Sequence, residues 1–531
     1  MKNIRYFIIL LLIATGVISC NNNLNEVIYH DAAEESYKYN SVYEALGIVY
    51  VPMRSFWDHH AYYMANETSS DELVMPANAS GWDDGGIYKQ MHLHSWTTES
   101  PQMNTMWSNF YNGVLEANNI LELLEADKIP IPQGATKENF TSEVRVARAF
   151  YYWMIMDNFG AAPLVTSTAK DSLPSKASRQ ELYDFVVKEV TESIPNLSED
   201  NDQLHYGRFN KWGAKALLAN VYLNAQVYTG TEAWNDCIQQ CDDIIASKKY
   251  SLAPDYRSIF QTDNEHSPEI IFAIPFDQNQ GTGFYPEMYS WHAALKAKRD
   301  MQDTPWGSGS AMGVPQFIDT YNPHDARLAD TWLMGPQFAL DGVTPLVGSY
   351  DQAGKQLNFT NSLPDGLYTG ESQGYRMNKF EVAVNAKSNL SNDFPFFRYA
   401  NVLMMKAECL VRTGKADQAA TLVSDVRTRA FRDNPSEAAV TGAQLSANSS
   451  YKYGYVENYK ITDAGNQDPV LYGGMLDELG WEFAWEGHRR RDDIRFGVFT
   501  SKSWLSHKPV GADRAIFMIP QSAINANPKL K

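Results

Sequence analysis

Trp481-Glu482-Phe483-Ala484-Trp485-Glu486-Gly487-His488-Arg489-Arg490-Arg491-Asp492-Asp493, followed by Arg495-Phe496-Gly497, is the stretch on which the reading of this chain turns. It sets carboxylates, an imidazole and three adjacent guanidiniums among large apolar rings. On a helix Glu486 lies three and four residues from Arg489 and Arg490, within ion-pair reach on one face. The spacing predicts one long helix over about 474–495. Acid, base and cations together resemble catalytic machinery, yet the helical pattern favours an architectural motif buried among helices. Arg145, Arg148 and Glu408 read the same way, as partners between helices.

Helical signals surround it. Residues 144–159 bring Val144, Ala147, Phe150, Tyr151, Met154 and Ile155 to one side, and Gly160 and Pro163 supply the stop. A second helix is expected over 211–228, and another starting near Trp234. The stripes Leu403/Ala407/Leu410/Val411 and Ala419/Leu422/Val426/Ala430, parted by Gly414, form a further hairpin. Alanine at close contacts and glycine at the turn suit tetratricopeptide-like pairs, of which about four are expected. Between 261 and 395 Gly, Pro, Asn and Asp rise, and only short segments such as 269–274 read as strands. The expected organisation is a mostly α fold: a helical frame over about 26–260 and 396–531, carrying a loop-rich insert over about 261–395. Long loops on a rigid frame are where binding groups usually lie.

The amino terminus reads as an export signal. Lys2 and Arg5 precede an apolar run from Tyr6 to Val17, and Val17-Ile18-Ser19-Cys20 forms a lipobox. A dozen helical residues reach only about 18 Å, too short for an apolar slab of about 30 Å. Residues 1–19 are therefore expected to be removed, Cys20 to carry lipid, 20–25 to act as a polar tether, and 26–531 to form the folded domain. The other cysteines, Cys237, Cys241 and Cys409, complete no disulfide framework or zinc spacing and read as buried thiols. A net charge of −18, from 45 basic and 63 acidic side chains, excludes a nucleic-acid binder. Aromatic residues make up 13% of the chain, and such rings are flat platforms for ligands with apolar faces.

Five segments in order carry a family resemblance: 144–152 with 158–164; 206–211 with 214–217; 397–400 with 406–408 and 426–430; 481–497; and 517–521 with Asn527-Pro528. Behind a lipobox, they resemble the SusD/RagB family of Bacteroidetes outer-membrane lipoproteins over essentially the whole mature chain. The resemblance implies a helical fold with four tetratricopeptide-like units and a non-catalytic role. It also implies capture of oligosaccharide at the cell exterior, and partnership with a SusC-like TonB-dependent transporter. Two departures stand out: the chain stops three residues after Pro528, and the tether is Asn-rich where an acidic run often marks surface export.

Trp82 stands in a polar, glycine-rich segment, 81–86, where a core tryptophan would be odd. It is expected to stack on a sugar ring while Asp71, Asp83 and Asp84 accept hydroxyl hydrogen bonds; the alternative is a structural turn aromatic. In the insert Trp306, between Pro305 and Gly307, is the stronger candidate, with Tyr375 and Arg376 as further ones and Trp291 divided evenly between ligand and core packing. Trp107, Trp153, Trp212, Trp481 and Trp485 fall in helical patterns and are expected in the core. His92 and His94 alternate on one strand-like segment, but no HExxH, EF-hand loop, GxSxG, P-loop or dinucleotide motif is present, so no metal, cofactor or catalytic residue is assigned. A lipid-anchored glycoside hydrolase, or a binder of peptide or glycopeptide, remains the alternative function.

Overall fold

The computed structural model describes residues 39–169 and 172–531; the signal segment, Cys20 and the tether lie outside them. The frame is a succession of packed helices: α1 (Val42–Tyr50), α2 (Tyr62–Ser69), α3 (Pro101–Glu125), α4 (Lys137–Phe159), α5 (Arg179–Ser193), α6 (Lys211–Leu223), α7 (Trp234–Ser247), α8 (Tyr399–Arg412), α9 (Ala416–Thr428), α10 (Gly473–Phe483) and α11 (Arg489–Arg495). Consecutive pairs α3/α4, α4/α5, α6/α7 and α8/α9 pack on one another, and α7 packs on α8 to join the two parts of the frame.

Local chemistry explains the ends. Thr136 and Asn139 form a reciprocal capping box at the start of α4, as Ser178 and Glu181 do for α5. Gly160 ends α4 with φ 69°, and Gly414 turns the α8/α9 hairpin with φ 77°. Helices α3 and α4 approach closely because Gly113 lacks a side chain: a Cβ there would lie 2.1 Å from the Tyr151 ring. The expected helix over 211–228 is interrupted at Asn224, which separates α6 from a short helix Ala225–Thr229. Cys237, Cys241 and Cys409 are buried free thiols.

The segment 261–395 carries short helices, turns and two-residue ladders. Its longest strand, β2 (Ile270–Ile274), pairs antiparallel with β4 (Phe394–Arg398) and so brings the ends of the segment together. A smaller ladder, β1 (Leu73–Val74) against β3 (Met312–Gly313), ties it to the amino-terminal frame.

The expected single helix over 474–495 is two helices. Between α10 and α11 the backbone turns through Trp485 at φ 64° and Gly487 at φ 75°. Two buried carboxylates, one in α2 and one just after it, hold this break: Glu72 accepts from the Trp485 N–H (2.8 Å) and Glu67 from the Gly487 N–H (2.6 Å). The break also redirects the charges. Glu486 pairs not with Arg489 or Arg490 but with Arg398 and Lys379, all fully buried. Arg398 also meets Glu269 (2.8 Å) and Glu482 (2.7 Å), and Glu482 further engages Arg429 and Arg327. Burial alone would raise Glu482, but the guanidiniums of Arg429, Arg398 and Arg327 overcome it and hold the carboxyl far below its ordinary value. This hub joins the insert to the carboxy-terminal part of the frame, and the Tyr256 hydroxyl, donating to Glu482 O (2.9 Å), ties in the amino-terminal part. The outer pairs follow the expected logic: Arg145 and Arg148 bind Glu189 of α5, and Glu408 of α8 binds Arg495 of α11.

Candidate functional site

The β1/β3 ladder sets the turn at 78–86 beside the loop at 305–310. Asn78 donates its amide to the Ser310 hydroxyl (2.8 Å), and the Val314 N–H donates to the Glu72 carbonyl (2.8 Å). The Trp306 N–H donates to Met288 O (2.7 Å), pinning the loop against the short helix Pro286–Ser290. Gly309, at φ 69°, lets the loop pass: a Cβ there would stand 2.3 Å from Ser290 O. Backbone contacts therefore hold the loop, and the Trp306 ring remains 43% exposed.

From Trp306 a row of rings runs across the surface. Its ring centroid lies 5.3 Å from His59 and 5.7 Å from Tyr285. His59 lies 4.0 Å from His60, His60 lies 6.3 Å from Tyr88, and Tyr88 lies 6.0 Å from Trp82. Trp82 and Trp306, far apart in sequence, are thus joined in one chain of rings, which dips into the core at Tyr88, 1% exposed, and returns to the surface at both ends. Trp82 is partly buried, packed against the core along one side.

Carboxylates edge the row. The Tyr285 hydroxyl donates to Asp58 (3.0 Å), and Asp84 meets His60 Nε2. Asp83 accepts from Lys89 (2.9 Å) and from the Gly85 N–H (3.1 Å); the Lys89 hydrogen bond holds its carboxyl below the usual range. Burial first, then the neighbouring His60, pull His59 below its ordinary pKa. Among the described residues no lysine or arginine pairs with Asp58 or Asp84, so the edge is acidic and rich in acceptors. Rings in a row with convergent oxygen acceptors can stack flat C–H faces while accepting from hydroxyls around them.

Several expected residues lie elsewhere. Asp71 is fully buried, bound to Arg489 (2.6 Å) and accepting from the Tyr453 hydroxyl (3.1 Å), so its oxygens are committed to the frame. Arg376 is fully buried as well, donating to Gln373 O (2.6 Å) and Gly374 O (2.8 Å), and burial pulls it down to about 9. Trp291 is 2% exposed, with its indole N–H on Met377 O (2.7 Å). These three leave the ligand set and take up packing roles. Tyr375 lies partly buried near Asp319 and Asn361; burial first, then the Asp319 charge, push its phenol upward. No ring contact links it to the row among the described residues. His92 and His94 are buried: His92 accepts from the Ser506 N–H, and His94 meets Ser69 O at 2.7 Å. Trp153, Trp212 and Trp485 are buried as expected, whereas Trp107 and Trp481 are only partly so.

Asp58, His59, His60 and Tyr285 were not expected at the row, nor was the buried Tyr88 that links it to Trp82. Their signal was Trp57-Asp58-His59-His60, a polar turn closing an apolar segment, but its distance from Trp306 in sequence hid the pairing.

Comparison with known proteins places the chain. Residues 268–515 match the SusD family, and residues 22–223 match a family described as starch-binding associating with outer membrane. The chain is 25% identical to "Starch-binding protein SusD" of Bacteroides thetaiotaomicron over 508 residues, covering 88% of this chain and 83% of that protein. A SusD superfamily protein from Parabacteroides distasonis superposes with TM-score 0.69 at 18% identity, covering 93% of this chain and 98% of the other. Surface glycan-binding protein A from B. thetaiotaomicron, in complex with laminarihexaose, superposes with TM-score 0.68 at 19% identity, covering 92% and 98%. With the two family matches covering most of its length between them, the chain is a SusD-like protein.

Proposed function

We propose that the protein binds a neutral oligosaccharide along the row from Trp306 to Trp82, without transforming it. The observation that carries this reading is the exposed Trp306 ring, held by its backbone and flanked by Tyr285, His59 and carboxylates that keep spare acceptor capacity. A sugar ring stacked there covers roughly 50–80 Å² of apolar face, about 1–2 kcal/mol at ~25 cal/mol per Å². Hydroxyl bonds to Asp58 and Asp84 exchange with water bonds, adding selectivity more than affinity. Dissociation constants should fall between about micromolar and millimolar, improving as more sugar units contact the row. The acidic edge and the net charge of −18 disfavour anionic glycans.

Family membership extends the proposal. Cys20 anchors the protein by lipid to the outer membrane, facing the exterior, and a SusC-like TonB-dependent transporter receives the captured glycan. The description of the family matched by residues 22–223, associating with outer membrane, supports this setting.

Calorimetric titration with a panel of neutral oligosaccharides, laminarihexaose and maltohexaose among them, tests the reading beside a reducing-sugar assay. Binding without new reducing ends, weakened about tenfold or more by Trp306→Ala, is the expected result. Release of reducing ends, or unchanged binding by the variant, would overturn it.

A further inference from the structure

The turn that follows Trp57 carries two adjacent histidines whose geometry goes beyond a stacking surface. One ring nitrogen each of His59 and His60 and one carboxylate oxygen of Asp84 all lie within 4.8 Å of one another. We propose that His59, His60 and Asp84 form a binding site for a divalent transition-metal ion of the zinc type, at the edge of the aromatic row.

The donor set selects the ion. Two imidazoles and a carboxylate suit Zn²⁺, Ni²⁺ or Cu²⁺, whereas Ca²⁺ and Mg²⁺ require shells of oxygen. Three protein ligands leave at least one coordination position for water or another oxygen donor. Local charge agrees: Lys89 is committed to Asp83, and Asp58 and Asp84 meet no other cationic side chain among the described residues than these histidines.

Each ligand has something that aims it. The Tyr285 hydroxyl donates to Asp58 (3.0 Å), so its oxygen faces His59 Nδ1 (3.2 Å) as an acceptor. That polarity puts the ring proton on Nδ1 and the lone pair on Nε2. Such an outer partner fixes tautomer and ring orientation in metal-ligating histidines. The His59 carbonyl is fixed by the Tyr88 hydroxyl (2.8 Å), and the His60 N–H by Asp58 (2.8 Å). Because Asp83 takes both Lys89 and the Gly85 N–H, Asp84 is the carboxylate left to turn toward His60.

His60 Nε2 and Asp84 Oδ2 stand 2.5 Å apart, a hydrogen-bond separation. Two ligands of a tetrahedral zinc ion, at bond lengths of about 2.0–2.1 Å, sit roughly 3.3 Å apart. Binding therefore displaces the proton between them and opens the pair by less than about 1 Å. Both side chains retain solvent access, His60 at 35% and Asp84 at 27%, so small rotations suffice.

The test is calorimetric titration of ZnCl₂ into the purified protein without an affinity tag, with melting curves for every variant. Saturable binding of one ion, weakened about tenfold or more by His60→Ala and by Asp84→Asn, is expected. Excess MgCl₂ should not compete. His324→Ala, which removes an exposed histidine paired with Glu437 on another part of the surface, should bind zinc as the parent does. Should His60→Ala melt early, the Asp84→Asn protein decides. Absence of a saturable site, or equal affinity in parent and both site variants, would overturn the proposal.

Discussion

The hub around Glu482 and the row beside Trp306 are made of the same kinds of groups, carboxylates and cations among aromatic rings. In the hub every charge is paired and most are shared: Arg398 binds Glu269, Glu482 and Glu486, and its guanidinium lies 4.6 Å over the Phe483 ring. In the row the rings touch edge and face, but Trp306 keeps an open side and the Asp58 and Asp84 oxygens keep free capacity. Composition therefore does not separate architecture from recognition. The separating property is whether the polar atoms are spent on the protein itself.

The sharpest way to break this contrast is to remove a hub cation. Arg398→Ala leaves three carboxylates buried with too few partners, and such a loss costs about 3–5 kcal/mol or more. Urea unfolding should show either that loss or no folded protein; a shift under about 1 kcal/mol would dissolve the distinction. Next comes a matched pair of tryptophans. Trp485→Ala, at a fully buried ring, should cost about 3–5 kcal/mol, whereas Trp306→Ala should leave the melting temperature unchanged.

A smaller effect concerns the carboxylates that hold the helix break. Burial above all pushes Glu67 from its ordinary 4.5 to about 7, against the pull of the Gly487 N–H. The folded protein then holds a proton that the unfolded chain has already released. This contribution to stability is complete below about pH 4.5 and is lost as pH rises through about 7. Glu67→Gln should reduce the fall in unfolding free energy over that window, measured by urea titration at a series of pH values. The smallest effect belongs to the rim: Asp83→Asn breaks an exposed ion pair with Lys89 and should leave the melting curve unchanged. A clear destabilisation would mean that the rim is architecture too.

Much of the frame was legible because its information is local. The stop at Gly160, the turn at Gly414 and the cap at Asn210, whose side chain accepts from the Trp212 and Gly213 N–H groups, each act within a few residues. The break at Trp485 was not legible, since its cause sits in and just after α2: Glu67 and Glu72 reach it from more than 400 positions away. Asp71 misled for the same reason. Its polar, serine-rich neighbourhood reads as surface, but Arg489 draws it inside. At the row, Trp306 was legible as a ring in a place where a core would not put it, whereas Trp82 packs one side on the core. Their companions His59, His60 and Tyr285 were not, because proximity across the β1/β3 ladder leaves no mark in local periodicity.

The hub also imposes an order on the protein's assembly. Arg327, Lys379, Arg398 and Arg429 are all synthesised before Glu482 and Glu486, the carboxylates that join them. A nascent chain ending near residue 480 would leave Lys379 without its carboxylate and Arg398 with one of its three, at a cost of several kcal/mol if they were buried. Closure of the core must wait for the last tenth of the chain, and until then the polypeptide is kept from premature collapse into its final shape.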